Sequence, residues 1–171
     1  LVLAELIATC LRFKARLVAA DERDHGARRI LNFGHTIGHA LEHAAMAKKE
    51  ETTLTHGEAV AWGMLVELRL GEILGLTSPK TFARAWKIGS SLGLYQRPPR
   101  VSWRQIQRRL RRDKKATRTH GLGIVTLSKV GSPHWIANVS ELMVQQALAE
   151  TGLAPSRPSS RVTPYTKRQM P

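Results

Sequence analysis

The 171-residue sequence has no run of about 18 apolar residues free of charge, the length a membrane-spanning helix needs. Its most apolar stretch near the start, Leu1 to Leu11, already contains Glu5 and is interrupted by Arg12. It has one cysteine, Cys10, so no internal disulfide can form, which fits a reducing compartment. A basic leader followed by an apolar centre and a small-residue cleavage site is also missing, so no secretory signal is read. These absences together lead us to expect a soluble, cytoplasmic chain with no membrane partner. There is no glycine-rich phosphate loop after a strand, no zinc-finger spacing and no aromatic-rich strand motif. Acidic residues are few beside basic ones, 13 against 27, which leaves a net charge of +14. Such an excess attracts polyanions, so nucleic acid, anionic membrane and phosphorylated small molecules all enter as partner classes. Much of the charge stands in Arg104, Arg108, Arg109, Arg111, Arg112, Lys114, Lys115 and Arg118, and in the tail after Pro155. A solvated helix face and a basic tail account for that cluster equally well.

What is present suffices for one core, since 42% of the residues are hydrophobic. Leu1 to Ala20 reads as a helix, with Leu3, Leu6, Ile7, Cys10, Leu11 and Val18 near helical spacing. No cap residue precedes it, so the helix is expected to be already under way at Leu1, continuing an earlier segment. Asp21 to Gly26 makes a break, Asn32 to His43 resumes a helical pattern, and Lys48 to Thr55 is polar enough for a loop. Gly57 to Leu74 is apolar or small on most faces, which predicts a buried helix ended by Gly75. Ser78 and Pro79 start a helix toward Ser90. Arg97 to Arg100 is a connector with two prolines, and Ser102 caps a basic helix from Trp103 to Arg112. Gly121 to Val130 and Trp135 to Val139, split by Gly131 and Pro133, suggest a short hairpin. Ser140 starts a last helix to about Thr151. The expected fold class is therefore mainly α, a multi-helix domain over residues 1–152 with a short β-hairpin. Residues 153–171 carry too few large apolar groups to offset ordering entropy, so a disordered basic tail is expected there.

The chemistry concentrates in histidine. His35 and His39 are four residues apart, so on a helix their rings share one face. Glu42 and His43 continue near that face, and His56 stands just before the buried helix. Zinc accepts neutral imidazole and carboxylate, and a catalytic site usually has three protein ligands with one open position. Histidines from two segments can thus meet at one metal, although an ordinary polar helix face explains the His35 and His39 pair on its own.

The run KARLVAADERDHGARRILNFGHTIGHALEH, followed by THGEAVAWGM and later by RRDKK, resembles the dehydroquinate synthase family of sugar phosphate cyclases over roughly residues 1 to 150. The resemblance implies the fold of that family's carboxyl-terminal domain and a phosphorus-oxygen lyase of the shikimate pathway. That activity turns 3-deoxy-D-arabino-heptulosonate 7-phosphate into 3-dehydroquinate and phosphate, with a bound NAD that oxidises a substrate hydroxyl and is restored each cycle. It implies zinc or another divalent metal held by His35 and His56, with a third ligand, a glutamate, earlier than this sequence begins. The family's dinucleotide domain likewise has no counterpart here, so NAD is expected to bind mainly there, and its contacts on this chain are unassigned. By motif position His39 matches an active-site histidine near the leaving phosphate and Lys14 an active-site lysine. Arg28 and Asn32 match substrate-binding positions, and one of Lys114 and Lys115 in the DKK motif binds substrate as well. Glu58 and Asp113 are read as structural, and Arg29 as facing solvent. The resemblance further implies a homodimer for the full-length enzyme and no activity for this chain alone. Two other readings stand beside it: a fragment of a related sugar phosphate cyclase, and a basic domain binding nucleic acid without sequence specificity.

Overall fold

The computed structural model describes residues 2–23, 26–46, 54–116 and 122–153, with side chains 113–116 outside the description. Helix α1 (Val2–Ala20) leads through a short 3-10 helix (Ala27–Asn32) into α2 (His35–Met46) and α3 (His56–Ile73). Then come α4 (Pro79–Ser91), α5 (Trp103–Ala116), strands β1 (Leu122–Lys129) and β2 (Ser132–Val139), and α6 (Glu141–Glu150). The fold is mainly helical with one antiparallel hairpin, as the sequence leads one to expect. No helix among the described residues is long and apolar enough to cross a membrane. The loop read at Lys48 to Thr55 falls mostly outside the described residues, as do Arg118 and the tail from residue 154.

Local chemistry sets most boundaries. Thr55 caps α3 through a capping box: its hydroxyl accepts from the Glu58 amide while the Glu58 carboxylate accepts from the Thr55 amide. Gly75, at φ +72°, ends α3 in the left-handed region, and the Leu76 amide returns to Gly71 O at 2.8 Å. Ser78, Ser140 and Ser102 accept amide hydrogen bonds at the starts of α4, α6 and α5. Two readings need correcting. The helix expected from Asn32 begins only at His35, because residues 27–32 wind more tightly and Gly34, at φ +79°, breaks the run. Ser132 and Pro133 belong to β2, with the turn tightened to Val130 and Gly131, since a strand with an open edge tolerates a proline.

The core lies where α2, α3, α5, α6 and β1 meet, with Ile37, Leu41, Trp62, Leu65, Leu70, Ile106, Ile124 and Leu148 buried together. Each such side chain contributes roughly 1.5–3 kcal/mol by leaving water. Helix α1 stands apart. It packs on the 3-10 helix, buries no residue, and leaves Leu3, Leu6, Ile7 and Leu11 exposed by half or more.

Helices α2 and α3 run antiparallel at very close range. A Cβ built on Gly63 would lie 2.0 Å from Gly34 O, and one on Gly38 would lie 3.0 Å from the Val60 Cα. Gly63→Ala must therefore push the helices apart. Overpacking of this kind costs about 1–3 kcal/mol, and the roughly 1 kcal/mol better helix propensity of alanine does not offset it. Gly57→Ala, with nothing within 4 Å of the added methyl, should instead be neutral or stabilising. Urea denaturation of the two variants checks this pair of opposite outcomes.

Candidate metal and substrate site

His35 opens α2, His39 follows one turn later and Glu42 almost one turn after that, so the three occupy one face of the helix. Ile37, Ala40, Leu41 and Ala44 hold the opposite face in the core. His56 is the first residue of α3, directly after its Thr55 cap. The antiparallel crossing brings these positions together. The ring centroids of His35, His39 and His56 form a triangle with every side 5.6 Å. His56 Nδ1 lies 3.3 Å from Glu42 Oε2, and one ligand atom from each of His39, Glu42 and His56 lies within 4.8 Å of the others. His39 and His56 are solvent-accessible, so an ion has a route in.

A buried carboxylate braces this arrangement from behind. Glu67 of α3 is fully buried and accepts hydrogen bonds from Gly34 N at 2.9 Å, Val125 N at 3.3 Å and Ile37 N at 3.4 Å. It thus satisfies amides at the start of α2, which has no capping side chain of its own, and ties β1 to the same point. Thr36 adds a hydrogen bond from its hydroxyl to Gly123 O at 3.0 Å, fastening the start of α2 to the hairpin.

The remaining sequence-derived candidates scatter around this centre. Arg28 and Asn32 stand on the 3-10 helix that leads into His35, partly buried. The Arg28 guanidinium donates to Glu22 O at 2.8 Å. Arg29, read from sequence as facing solvent, is partly buried and lies over the Trp135 ring at 5.2 Å, because Trp135 crosses the side-chain-free Gly123 and offers its face. Lys14 is exposed on α1. Lys114 and Lys115 lie in α5, which packs on α2, and their side chains lie outside the described residues. Glu58 is structural, being the carboxylate of the α3 capping box, and the Thr55 hydroxyl holds its pKa below the usual range. On α5, Ile106 and Leu110 face the core while Arg104, Arg108 and Arg112 face solvent. Arg111 and Gln107 both bind Glu141 of α6.

Sequence reasoning missed Glu67. The signal was a lone glutamate inside the apolar stretch MLVELRL, where a charged side chain needs partners if it is to be buried.

Residues 1–116 match the family described as 3-dehydroquinate synthase C-terminal. The chain belongs to that family. It is 38% identical over 157 residues to the 3-dehydroquinate synthase of Thermobifida fusca (strain YX), covering 91% of this chain and 41% of that protein. With the 3-dehydroquinate synthase of Lactiplantibacillus plantarum it shares 41% identity over 133 residues, 76% of this chain and 34% of that one. The chain thus spans well under half the length of these relatives. Among solved structures, a 2-deoxy-scyllo-inosose synthase complexed with carbaglucose-6-phosphate, NAD+ and Co2+ superposes with a TM-score of 0.71 at 25% identity, covering 83% of this chain and 40% of that one. The 2-epi-5-epi-valiolone synthase of Streptomyces hygroscopicus subsp. jinggangensis, at 20% identity and a TM-score of 0.73 over 87% of this chain and 40% of that one, shares the fold.

Burial pushes the Glu67 carboxyl up from 4.5 to about 8, against the lowering effect of its amide donors. Between those values the folded chain holds a proton that the unfolded chain releases, so the Glu67 contribution to stability is greatest below pH 4.5 and falls as the pH rises toward 8. Glu67→Gln, which cannot ionise, should flatten that fall in denaturation midpoints taken across the range. It should also cost about 1–3 kcal/mol, because its amide NH2 meets backbone donors.

Proposed function

We propose that this chain is the metal- and substrate-binding part of a 3-dehydroquinate synthase acting on 3-deoxy-D-arabino-heptulosonate 7-phosphate. The observation that carries the reading is the convergence of His35, His39 and His56 from two helices in a chain of this family. Three imidazoles and a carboxylate form a donor set that suits zinc or a similar divalent ion. In our reading His35 and His56 hold that ion, which when bound polarises the substrate hydroxyl to be oxidised. In the same reading His39, one turn along α2, donates a hydrogen bond to the leaving phosphate or moves a proton. Arg28 offers a fork to a carboxylate or phosphate, Asn32 hydrogen bonds to hydroxyls, and Lys14 with Lys114 or Lys115 adds ammonium donors. NAD binding is assigned to the portion of the relatives that this chain does not span. The 2-deoxy-scyllo-inosose synthase likeness supports a second reading, a sister cyclase. The DKK motif with Arg28 and Asn32 favours a substrate bearing both carboxylate and phosphate.

Under this reading the chain alone neither binds NAD tightly nor turns over substrate, and an NAD titration should show no saturable tight binding. Supplying the amino-terminal portion of a relative, by fusion or in trans, should yield zinc-dependent phosphate release. His35→Ala or His56→Ala should each lower that activity by more than the about 10–100-fold seen when only a ligand-orienting residue is lost. Deleting residues 155–171, beyond the buried Leu153, should leave it largely intact. A reassembled enzyme indifferent to both histidines would overturn the assignment, as would sequence-specific DNA binding that survives about 0.2 M salt.

A further inference from the structure

We infer that Trp135 of the hairpin is a positioning residue for the 3-10 helix Ala27–Asn32, acting through Arg29 on Asn32. The inference rests on the proposed role of Asn32 at substrate hydroxyls, and it gives β2 a part in that role.

The 3-10 helix depends on its surroundings. Its hydrogen bonds have poorer geometry than those of an α-helix, which is why such runs stay short. Gly26 before it supplies no side-chain cap, and the helix buries no residue of its own. One end is tied to the end of α1, where Asp21 Oδ2 accepts from Gly26 N at 2.7 Å and from Arg28 N at 3.1 Å. The other end leads to Gly34, whose amide donates to Glu67. Between these ties the helix rests on both strands of the hairpin, and there the Arg29 guanidinium lies 5.2 Å from the centre of the Trp135 ring. Residues three apart in a 3-10 helix stand on one face, about 6 Å along the axis. Arg29 and Asn32 are such a pair, so a contact that fixes Arg29 also fixes the face from which Asn32 projects.

The hairpin is shaped to offer that ring. Leu122 pairs with Val139 and Ile124 with Ile136, so Gly123 stands opposite both Ala137 and Asn138 in a β-bulge, with Asn138 at φ 61°. A bulge re-aims neighbouring side chains, and here the Trp135 indole lies across Gly123. A Cβ on Gly123 would fall 2.0 Å from Trp135 Cζ2, so the seat admits no side chain. The Gly123 carbonyl accepts from the Thr36 hydroxyl, which ties the same point of β1 to the start of α2. Trp135 remains 37% exposed, so filling the core is not its main use. The ring face turned to Arg29 is.

A Trp135 that served only the stability of the hairpin would, when lost, loosen the core and the 3-10 helix together. A positioning residue acts locally, and a smaller aromatic ring replaces it. Amide hydrogen exchange in the full chain separates the two. The Phe33 amide, which donates to Ile30 O, reports on the 3-10 helix, and the amides of Leu65 and Val66 report on the middle of α3. Trp135→Leu and Arg29→Gln should each speed exchange at Phe33 by about three- to tenfold, the effect of losing a partly shielded cation–π contact. Leu65 and Val66 should not change. The double variant should exchange no faster than either single one, because both remove the same contact. Trp135→Phe, which keeps a ring face, should stay within about twofold of wild type. In the reassembled enzyme Trp135→Leu should raise KM by a similar factor with kcat nearly unchanged, and Trp135→Phe should restore KM. Unchanged exchange at Phe33, an equal acceleration at Leu65 and Val66, or a fall in kcat as large as the rise in KM overturns the inference and leaves the proposed function standing. A reassembled wild-type enzyme without activity overturns both.

Discussion

Backbone contact between α2 and α3 is the constraint on which the site depends. Gly34 and Gly38 on one side and Gly63 on the other remove the side chains that would keep two helices 8–10 Å apart. A methyl on Gly63 would fall on the Gly34 carbonyl. At this separation the first turn of α3 faces the first two turns of α2, and only then do His56 and the His35 to Glu42 face come within reach of a common point. Glu67 fixes the height of the crossing, because its acceptors can serve the Gly34 and Ile37 amides in one register only. Burying that carboxyl is unfavourable in itself, and the amide hydrogen bonds offset part of the cost. The site is thus built with a dry, fully bonded support on one side and accessible ligand ends on the other.

The legible parts of this fold are those specified by neighbouring residues. Serine and proline at the start of α4, serine at the start of α6, glycine at the end of α3, and the apolar density of residues 57–74 all act within a turn or two, and each could be read directly. The Thr55 to Glu58 spacing is of the same kind, a capping-box signature that locates the start of α3 at His56. The start of α2 was misplaced because Gly34 adopts its left-handed conformation through packing on Val60 and Met64, thirty residues away. In the site, the His35 and His39 spacing promised a shared face. Their meeting with His56 depends on the glycine contact between helices, and no local pattern encodes that. Glu67 escaped for the same reason, since its donors lie 33, 30 and 58 residues distant.

Among the described residues, most of the α5 arginines are taken up by solvent and by α6. On α5 Arg104, Arg108 and Arg112 form a solvent face over a stripe of Ile106 and Leu110 that completes the core, and Arg111 and Gln107 fasten that helix to Glu141. This is what an amphipathic surface helix does. Long-range attraction toward anionic ligands remains a property of the whole surface, and it falls with salt.

Helix α1 poses the opposite problem, a row of exposed apolar groups among the described residues. Leu3, Ile7 and Leu11 recur at helical spacing, and each is exposed by half or more. Lys14 continues the same stripe one turn further on. A contiguous apolar face of this size on an otherwise basic surface suits contact with another protein surface, and the chain spans only 41% of its Thermobifida relative. A partner bound to the stripe would also set the surroundings of Lys14, since the two share a face of α1. If Lys14 serves the substrate, its placement is therefore coupled to that contact, whereas the histidine centre is set by the crossing of α2 and α3 and by their ties to β1. The two halves of the site would then be organised by different forces: the metal end by internal packing, and the lysine end by the surface that docks on α1.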